Sequence, residues 1–324
     1  MATNIQKHMK EKALPSMKYW NRTQSRGEPL SEKGAISSQS IAELVQSCEV
    51  VFISVSLSLS HFQRPDRLIP EQVSDDKVQQ AVIEQVIESG PINDKIFVDT
   101  TTVHPSSTTS ITSLLRNKGA AYIAAPVFGA TPLAQAGTLL IAVAGPSQPI
   151  QTISPFLQGV IARAVITVGP EPSQALLLKT TSNFITAGLM YLLSEAHTLA
   201  STTGLPADVL ESLVEQNFGA YANGVSKRLT SGAYFPAAGQ TPSSGLELGI
   251  KDVGHGVNLA RDKGIKLEIG ELYLGAADEA KAYGDKKGRK CDSSSVFGIV
   301  RQRAGLDFET DRVKERDAAR REQA

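Results

Sequence analysis

The stretch KIFVDTTTVHP, Lys95 to Pro105, decides how the first half of the chain is read. It opens on an apolar, β-branched run and passes into three threonines, a histidine and a proline. A short apolar run bounded by turn residues is the pattern of a buried strand. The hydroxyl-rich turn after it stands at the strand's carboxyl end, where open α/β sheets bind ligands.

The same pattern recurs on both sides. VVFISV (Val50 to Val55), AYIAAPV (Ala121 to Val127), LLIAVAG (Leu139 to Gly145) and AVITVG (Ala164 to Gly169) all read as buried strands. Helix-like segments lie between them: SIAELVQSC, KVQQAVIEQVIESG, SSTTSITSLLRNKG and QPIQTISPFLQGV. Strand and helix in alternation predict a doubly wound α/β sheet over residues 1–170. Beyond that point the strands stop. The run SQALLLKTTSNFITAGLMYLLSEAHTLASTTGLP predicts one helix from Ser173 to about Thr203, apolar around most of its circumference. Such a helix is buried inside a protein or between subunits. Helical patterns at Ala207–Gln216, Gly245–Lys263, Glu268–Tyr283 and Ser293–Ala304 complete an all-α domain over 171–305. Residues 306–324 form a charged tail, expected as a solvated end.

Two segments break the pattern. LSLSHFQRPDRLIPEQVS, Leu57 to Ser74, interrupts a strand that should pass directly into a helix, and a Val-Ser pair stands at both flanks. Without it the chain reads VVFISVSDDKVQQAVIEQV, a strand, a turn and a helix with an aspartate at the cap. Residues 57–74 are therefore expected to be an anomalous insertion, such as a retained intron. The second segment is KYWNRTQSRG, Lys18 to Gly27. Met17 to Trp20 reads as a short strand ending in a polar turn, as the second strand of a dinucleotide-binding fold ends. Yet no glycine precedes Gly27. The phosphate-cradling glycine loop and the first strand are expected to be missing ahead of Met1.

Composition narrows the partners. Lysine plus arginine balances aspartate plus glutamate, 33 against 33, so no global field attracts nucleic acid or an anionic membrane. No apolar run reaches the roughly 18 residues that span a bilayer. The two cysteines, Cys48 and Cys291, are far apart in sequence, which favours a reducing compartment and a cytoplasmic location. A mitochondrial location would need a targeting segment ahead of Met1. The five histidines show no metal-ligand spacing, so no metal is expected.

Lys179 and Asn183 stand four apart near the start of the long helix and share one face. A lysine in the run ALLLK is costly to bury as a cation, so desolvation is expected to push its pKa toward neutrality. Tuned that way, it can exchange a proton with a substrate hydroxyl. A lysine snorkelling to water from an interface explains the pair equally well.

Taken in order, these pieces resemble the β-hydroxyacid dehydrogenase family, which includes 3-hydroxyisobutyrate dehydrogenase, tartronate semialdehyde reductase and the cofactor domain of 6-phosphogluconate dehydrogenase. The resemblance implies a Rossmann-type domain, a long interdomain helix and an all-α domain. Asp99, Thr101, Thr102 and Pro105 fit the family's D-x-S-T-x-x-P frame, whose turn lies against the nicotinamide. Lys179 fits the catalytic lysine of K-x-x-N-N and Asn183 its second asparagine, with Ser182 at the first. Lys251 and Asp252 match a later K-D pair, whose lysine closes over the cofactor. Val55 and Ser56 hold part of the cofactor turn after VVFIS. In APVFGA the substrate-binding segment becomes Phe128, Gly129 and Ala130, where the family has serine, glycine, glycine. Losing the serine hydroxyl weakens a carboxylate anchor by on the order of 1–3 kcal/mol. A different or larger substrate is implied.

These expectations converge on an NADP-dependent oxidoreductase that moves hydride between nicotinamide and a hydroxyl or carbonyl carbon. Lys179 would be its general acid and base, with Asn183 positioning. Retention of the lysine favours carbonyl–alcohol over imine chemistry. Asn21, Arg22 and Thr23 at the end of the second strand suit a 2′-phosphate, so NADP is preferred and NAD comes second. The substrate is a small molecule, and the apolar long helix suggests a homodimer or larger assembly. The rival expectation is a non-catalytic relative that keeps the fold for assembly or weak ligand binding.

Overall fold

The computed structural model describes residues 1–55 and 75–322, so Ser56 and the stretch 57–74 lie outside the described residues. The chain divides into two units, Met1–Lys179 and Thr180–Ala324.

Unit 1 begins with α1 (Ala2–Glu11), β1 (Lys18–Tyr19), α2 (Glu28–Ser31), β2 (Ile36–Ser37) and α3 (Ile41–Gln46). The apolar runs then become β3 (Val50–Ile53), β4 (Ile96–Asp99) and β5 (Ala121–Ala124), with α4 (Asp75–Glu88) and α5 (Pro105–Arg116) between them. These three strands are parallel. Ile53 pairs with Asp99 and Asp99 with Ala124, so their carboxyl ends are level. The expected strand Ala121–Val127 is cut in two at Pro126, which has no N–H for the ladder. Its second piece, β6 (Val127–Phe128), pairs antiparallel with β7 (Leu139–Ala144). β7 is antiparallel to β5 as well and parallel to β8 (Ala162–Gly169). Two short helices, α6 (Thr131–Ala136) and α7 (Ser147–Ile153), connect these strands.

The expected doubly wound sheet is in two pieces. β1 and β2 form a separate parallel pair, and β3 ends the six-stranded sheet. Both faces nevertheless share cores across the break. Met17 packs in one cluster with Val50 and Phe52, and Trp20 in another with Val51 and Ile53. Hydrophobic burial therefore holds β1 beside the sheet without ladder hydrogen bonds to it.

α8 (Ser173–Thr203) runs out of unit 1 into unit 2, as the sequence predicts. Unit 2 then continues with α9 (Ala207–Thr230), α10 (Leu246–Asp262), α11 (Glu268–Lys286), α12 (Val296–Arg303) and α13 (Asp311–Glu322) around a core that includes Met190, Leu193, Val253, Tyr273 and Phe297. The helical pattern predicted to stop at Gln216 goes on to Thr230. Gly219 (φ +82°) kinks it, and a second helical stretch resumes beyond. By length and mean hydropathy α8 could cross a membrane, but its buried Ala187, Met190, Tyr191 and Leu193 belong to this unit's core.

The charged tail is not a solvated end. Val313 of α13 is fully buried. Arg316 donates to the carbonyls of Gly232 and Phe235 at 3.0 and 2.8 Å, and Arg289 pairs with Asp317 at 2.7 Å. Most of the tail's charge faces water, which is why composition alone hides this packing.

Candidate active site

The turn after β4 is held from several sides. The Asp99 Oδ1 accepts from the Thr101 backbone N–H at 2.8 Å. The Thr100 hydroxyl donates to the Ile53 carbonyl at 3.1 Å. The Thr101 hydroxyl accepts from the Val55 N–H at 3.1 Å, which ties the turns after β3 and β4 together. Farther along, the His104 N–H donates to Asp76 at 2.9 Å, and the His104 side chain caps α5 by accepting from Ser106. Two of the expected cofactor contacts, Val55 and Thr101, thus satisfy each other at the strand ends. Thr102, beside them, is half-buried. Ser56 lies outside the described residues.

Beneath this turn Asp99 is 1% exposed. Besides Thr101, the Gln79 side-chain amide and the Tyr122 hydroxyl donate to it, the latter at 3.0 Å. Burial raises its pKa, and the hydrogen bonds from Thr101, Gln79 and Tyr122 offset part of that rise. Among the described residues, the groups that act on it are hydrogen-bond donors rather than cations. Burial likewise pushes the Tyr122 hydroxyl far up, with the Asp99 charge adding to it, so Tyr122 keeps its proton and is the donor.

The first turns of α8 pack on the sheet. Ala175 and Leu176 join Val103, Ala124, Ala142 and Ala144 in a small apolar cluster, with Phe128 and Leu178 against it. That packing delivers Lys179 to β6. Its Nζ donates to the Val127 carbonyl at 2.8 Å and lies 4.7 Å from the centre of the Phe128 ring. Lys179 is half-buried rather than sunk in an apolar core, because its stem packs while its head reaches a carbonyl and a ring face. Gly129 (φ +130°) turns the chain sharply after Phe128, where an added Cβ would lie 2.9 Å from both Leu133 and Leu139. Ala130 follows as the N-cap residue of α6, without a side-chain cap. Phe128 therefore presents the only side chain longer than a methyl group in this three-residue segment.

In unit 2 the Asn183 Nδ2 donates to Asp252 Oδ2 at 2.9 Å, and Lys251 Nζ pairs with Asp252 Oδ1 at 3.1 Å. One carboxylate thus fixes both expected site residues of that unit. Asp252 was legible as half of a K-D pair, but nothing in the sequence showed that it orients Asn183. The continuous α8 backbone places Asn183 one turn after Lys179.

The turn after β1 is an Asx turn. The Thr23 N–H donates to Asn21 Oδ1 at 3.0 Å, and Asn21 and Arg22 are exposed. Gly27 is required there, since an added Cβ would run into the Tyr19 ring.

A dinucleotide fits part of this arrangement. Level strand ends, a hydroxyl-bearing turn and a basic turn after β1 are what its nicotinamide and ribose ends need. For the pyrophosphate, no glycine loop precedes a helix start among the described residues. The amino end of α1 is engaged with α6, where the Met1 ammonium and the Asn4 side chain donate to the Ala134 carbonyl at 3.5 and 3.2 Å. Among the described residues no group of three or more histidine, cysteine, aspartate or glutamate side chains could hold a metal ion.

Parallel strands ending level at such a turn form a sheet of the kind that binds dinucleotides. Residues 1–169 match the family described as the NAD binding domain of 6-phosphogluconate dehydrogenase, and the chain belongs to that family. It is 28% identical over 227 residues to the NADH-dependent oxidoreductase ucdB of Aspergillus ustus, covering 70% of this chain and 75% of that one. Glyoxylate/succinic semialdehyde reductase 1 of Arabidopsis thaliana is 27% identical over 275 residues, 81% of this chain and 88% of the relative. The fold is shared with 3-hydroxyisobutyrate dehydrogenase of Mycobacterium tuberculosis, solved with L-serine, at a TM-score of 0.73 and 17% identity over 92% of this chain and 95% of that one.

Proposed function

We propose that this oxidoreductase interconverts a hydroxyl and a carbonyl group with NADP, and that Lys179 exchanges the hydroxyl proton. The observation that carries the reading is the seating of Lys179. Its head group is held at 2.8 Å by the Val127 carbonyl beside the Phe128 ring, at the end of the sheet that bears the threonine turn. Bound nicotinamide supplies the hydride acceptor or donor, and everything else falls to side chains. Lys179 gives its proton to the developing alkoxide in reduction and takes it back in oxidation. Asn183 has committed its Nδ2 to Asp252, so it offers its carbonyl oxygen to a substrate hydroxyl. Thr101 and Thr102 form the surface that receives the nicotinamide.

Arg22 and Thr23 after β1 support NADP, because an exposed guanidinium beside a hydroxyl suits a 2′-phosphate. Phe128 points to a substrate larger or less carboxylate-dependent than a short hydroxyacid, since an aromatic face replaces a hydroxyl donor. On α8, Ile185, Leu192 and Leu199 are each more than 60% exposed at seven-residue intervals. We assign that stripe to contact with a second copy of the chain.

One observation favours a second reading, in which the chain binds cofactor weakly and does not turn over. Asn4, in the first turn of α1, is committed to the Ala134 and Gln135 carbonyls, and no glycine loop precedes a helix start among the described residues. Fluorescence titration with NADPH separates the two readings. Saturable binding below millimolar is expected, and its absence sinks the catalytic reading for this chain. In a binding-competent preparation, Lys179→Ala is expected to keep cofactor affinity and to lose about 10²–10⁴-fold in turnover. Normal turnover by that variant removes Lys179 from the site.

A further inference from the structure

Asp99 is the last residue of β4, buried directly under the turn assigned to the nicotinamide. Among the described residues, every group hydrogen-bonded to its carboxyl is a donor: the Thr101 N–H, the Gln79 amide and the Tyr122 hydroxyl. The Thr101 hydroxyl also gives its hydrogen bond to Asp99 while accepting from the Val55 N–H. Donors alone are what an ionised carboxylate requires, and they disperse its charge without cancelling it. A net negative charge therefore sits in a dry layer one turn below the ligand-facing surface. Charges in such layers are weakly screened and act on whatever occupies that surface.

The two redox forms of the cofactor differ there by one unit of charge. The oxidised ring is a pyridinium cation and the reduced ring is neutral. From this we infer that Asp99 is a buried counter-charge that sets the relative affinity of this chain for oxidised and reduced cofactor. It acts through the field and through the Thr101–Val55 tie, without touching the ring, so it is a tuning and positioning residue. The inference rests on the proposed placement of nicotinamide against Thr101 and Thr102.

The test compares NADP+ and NADPH dissociation constants, by calorimetry and fluorescence, for the full chain and two variants. Asp99→Asn is expected to weaken NADP+ about tenfold relative to NADPH. Tyr122→Phe keeps the charge but removes one donor that disperses it. It is expected to shift the ratio the opposite way, toward NADP+, by about two- to threefold. Opposite signs are the diagnostic outcome, because a merely structural network would weaken both forms together in both variants. If circular dichroism shows Asp99→Asn unfolded, the sign for Tyr122→Phe decides alone. Equal losses for the two redox forms overturn the inference and leave the cofactor assignment standing. No binding of either form by the unaltered chain overturns both.

Discussion

Each unit buries an aspartate that is 1% exposed, and the two are built alike up to one difference. Asp99 accepts at Oδ1 from the backbone N–H of Thr101, two residues on, at 2.8 Å. Asp292 accepts at Oδ1 from the backbone N–H of Ser294, also two residues on, at 3.0 Å. Both take further hydrogen bonds from nearby groups, Gln79 and Tyr122 in unit 1, the Ser294 hydroxyl and the Ser244 N–H in unit 2. The difference is Arg228, whose guanidinium contacts Asp292 directly. Asp292 is paired within its own unit and ties α9 to the segments before α10 and α12. Asp99 is left with its charge. A carboxylate at a strand's carboxyl end that meets hydrogen-bond donors, and no cation among the described residues, is what the proposed counter-charge role requires.

Removing the cation in unit 2 tests the comparison most severely. Arg228→Met leaves Asp292 buried without a counter-charge, a change expected to cost about 3–5 kcal/mol. Hydrogen exchange should show the loss as reduced protection in α9 and α12, with β4 and β5 unaffected. Asp99→Ala comes next. It orphans the Gln79 and Tyr122 donors but also removes a buried charge, and the expected cost is about 1–3 kcal/mol, seen in β4 and β5. If Arg228→Met proves the milder change, Asp292 does not depend on its ion pair, and the contrast with Asp99 fails.

The legible parts of this molecule are those decided by period and by local chemistry. β3, β4 and β7 sit inside their predicted apolar runs, and α8 runs from Ser173 to Thr203 as read, because a buried element must be apolar along its length. The break at Pro126 was also in the letters, since proline cannot feed a ladder, but a continuous apolar run concealed it. Other features were beyond the sequence. α13 looks like solvated charge because one buried valine, one arginine reaching backbone carbonyls and one aspartate paired with Arg289 carry its packing. At the proposed site, Lys179, Phe128 and Asn183 stand out by residue type and order. That Lys179 reaches the Val127 carbonyl, or that Asp252 turns the Asn183 amide, depends on pairs 52 and 69 residues apart. Gln79 and Tyr122 carried no signal at all, because a buried glutamine or tyrosine is recognised as functional only once its partner is known.

A third buried titratable group sharpens the contrast, with the smallest expected effect. Unit 2 buries His197 at 4% exposure, with Nε2 2.6 Å from the Ser226 hydroxyl. Burial lowers its pKa, and the charge of Glu211 opposes that shift only in part. This unit therefore manages a buried base by keeping it neutral, whereas it manages a buried acid by pairing it. The sign follows from linkage. The folded pKa lies below the unfolded value of about 6.5, so the unfolded chain binds the proton first as pH falls. The contribution of neutral His197 is complete above about pH 6.5 and is lost as pH drops through that value toward the lowered folded one. Hydrogen exchange between pH 7.5 and 5, corrected for intrinsic rates, should show protection in α8 and α9 declining in the unaltered chain. His197→Gln keeps a hydrogen-bonding group for Ser226 and cannot titrate, so its protection in those helices should stay level. If the decline persists in the variant, the acid sensitivity belongs to another group.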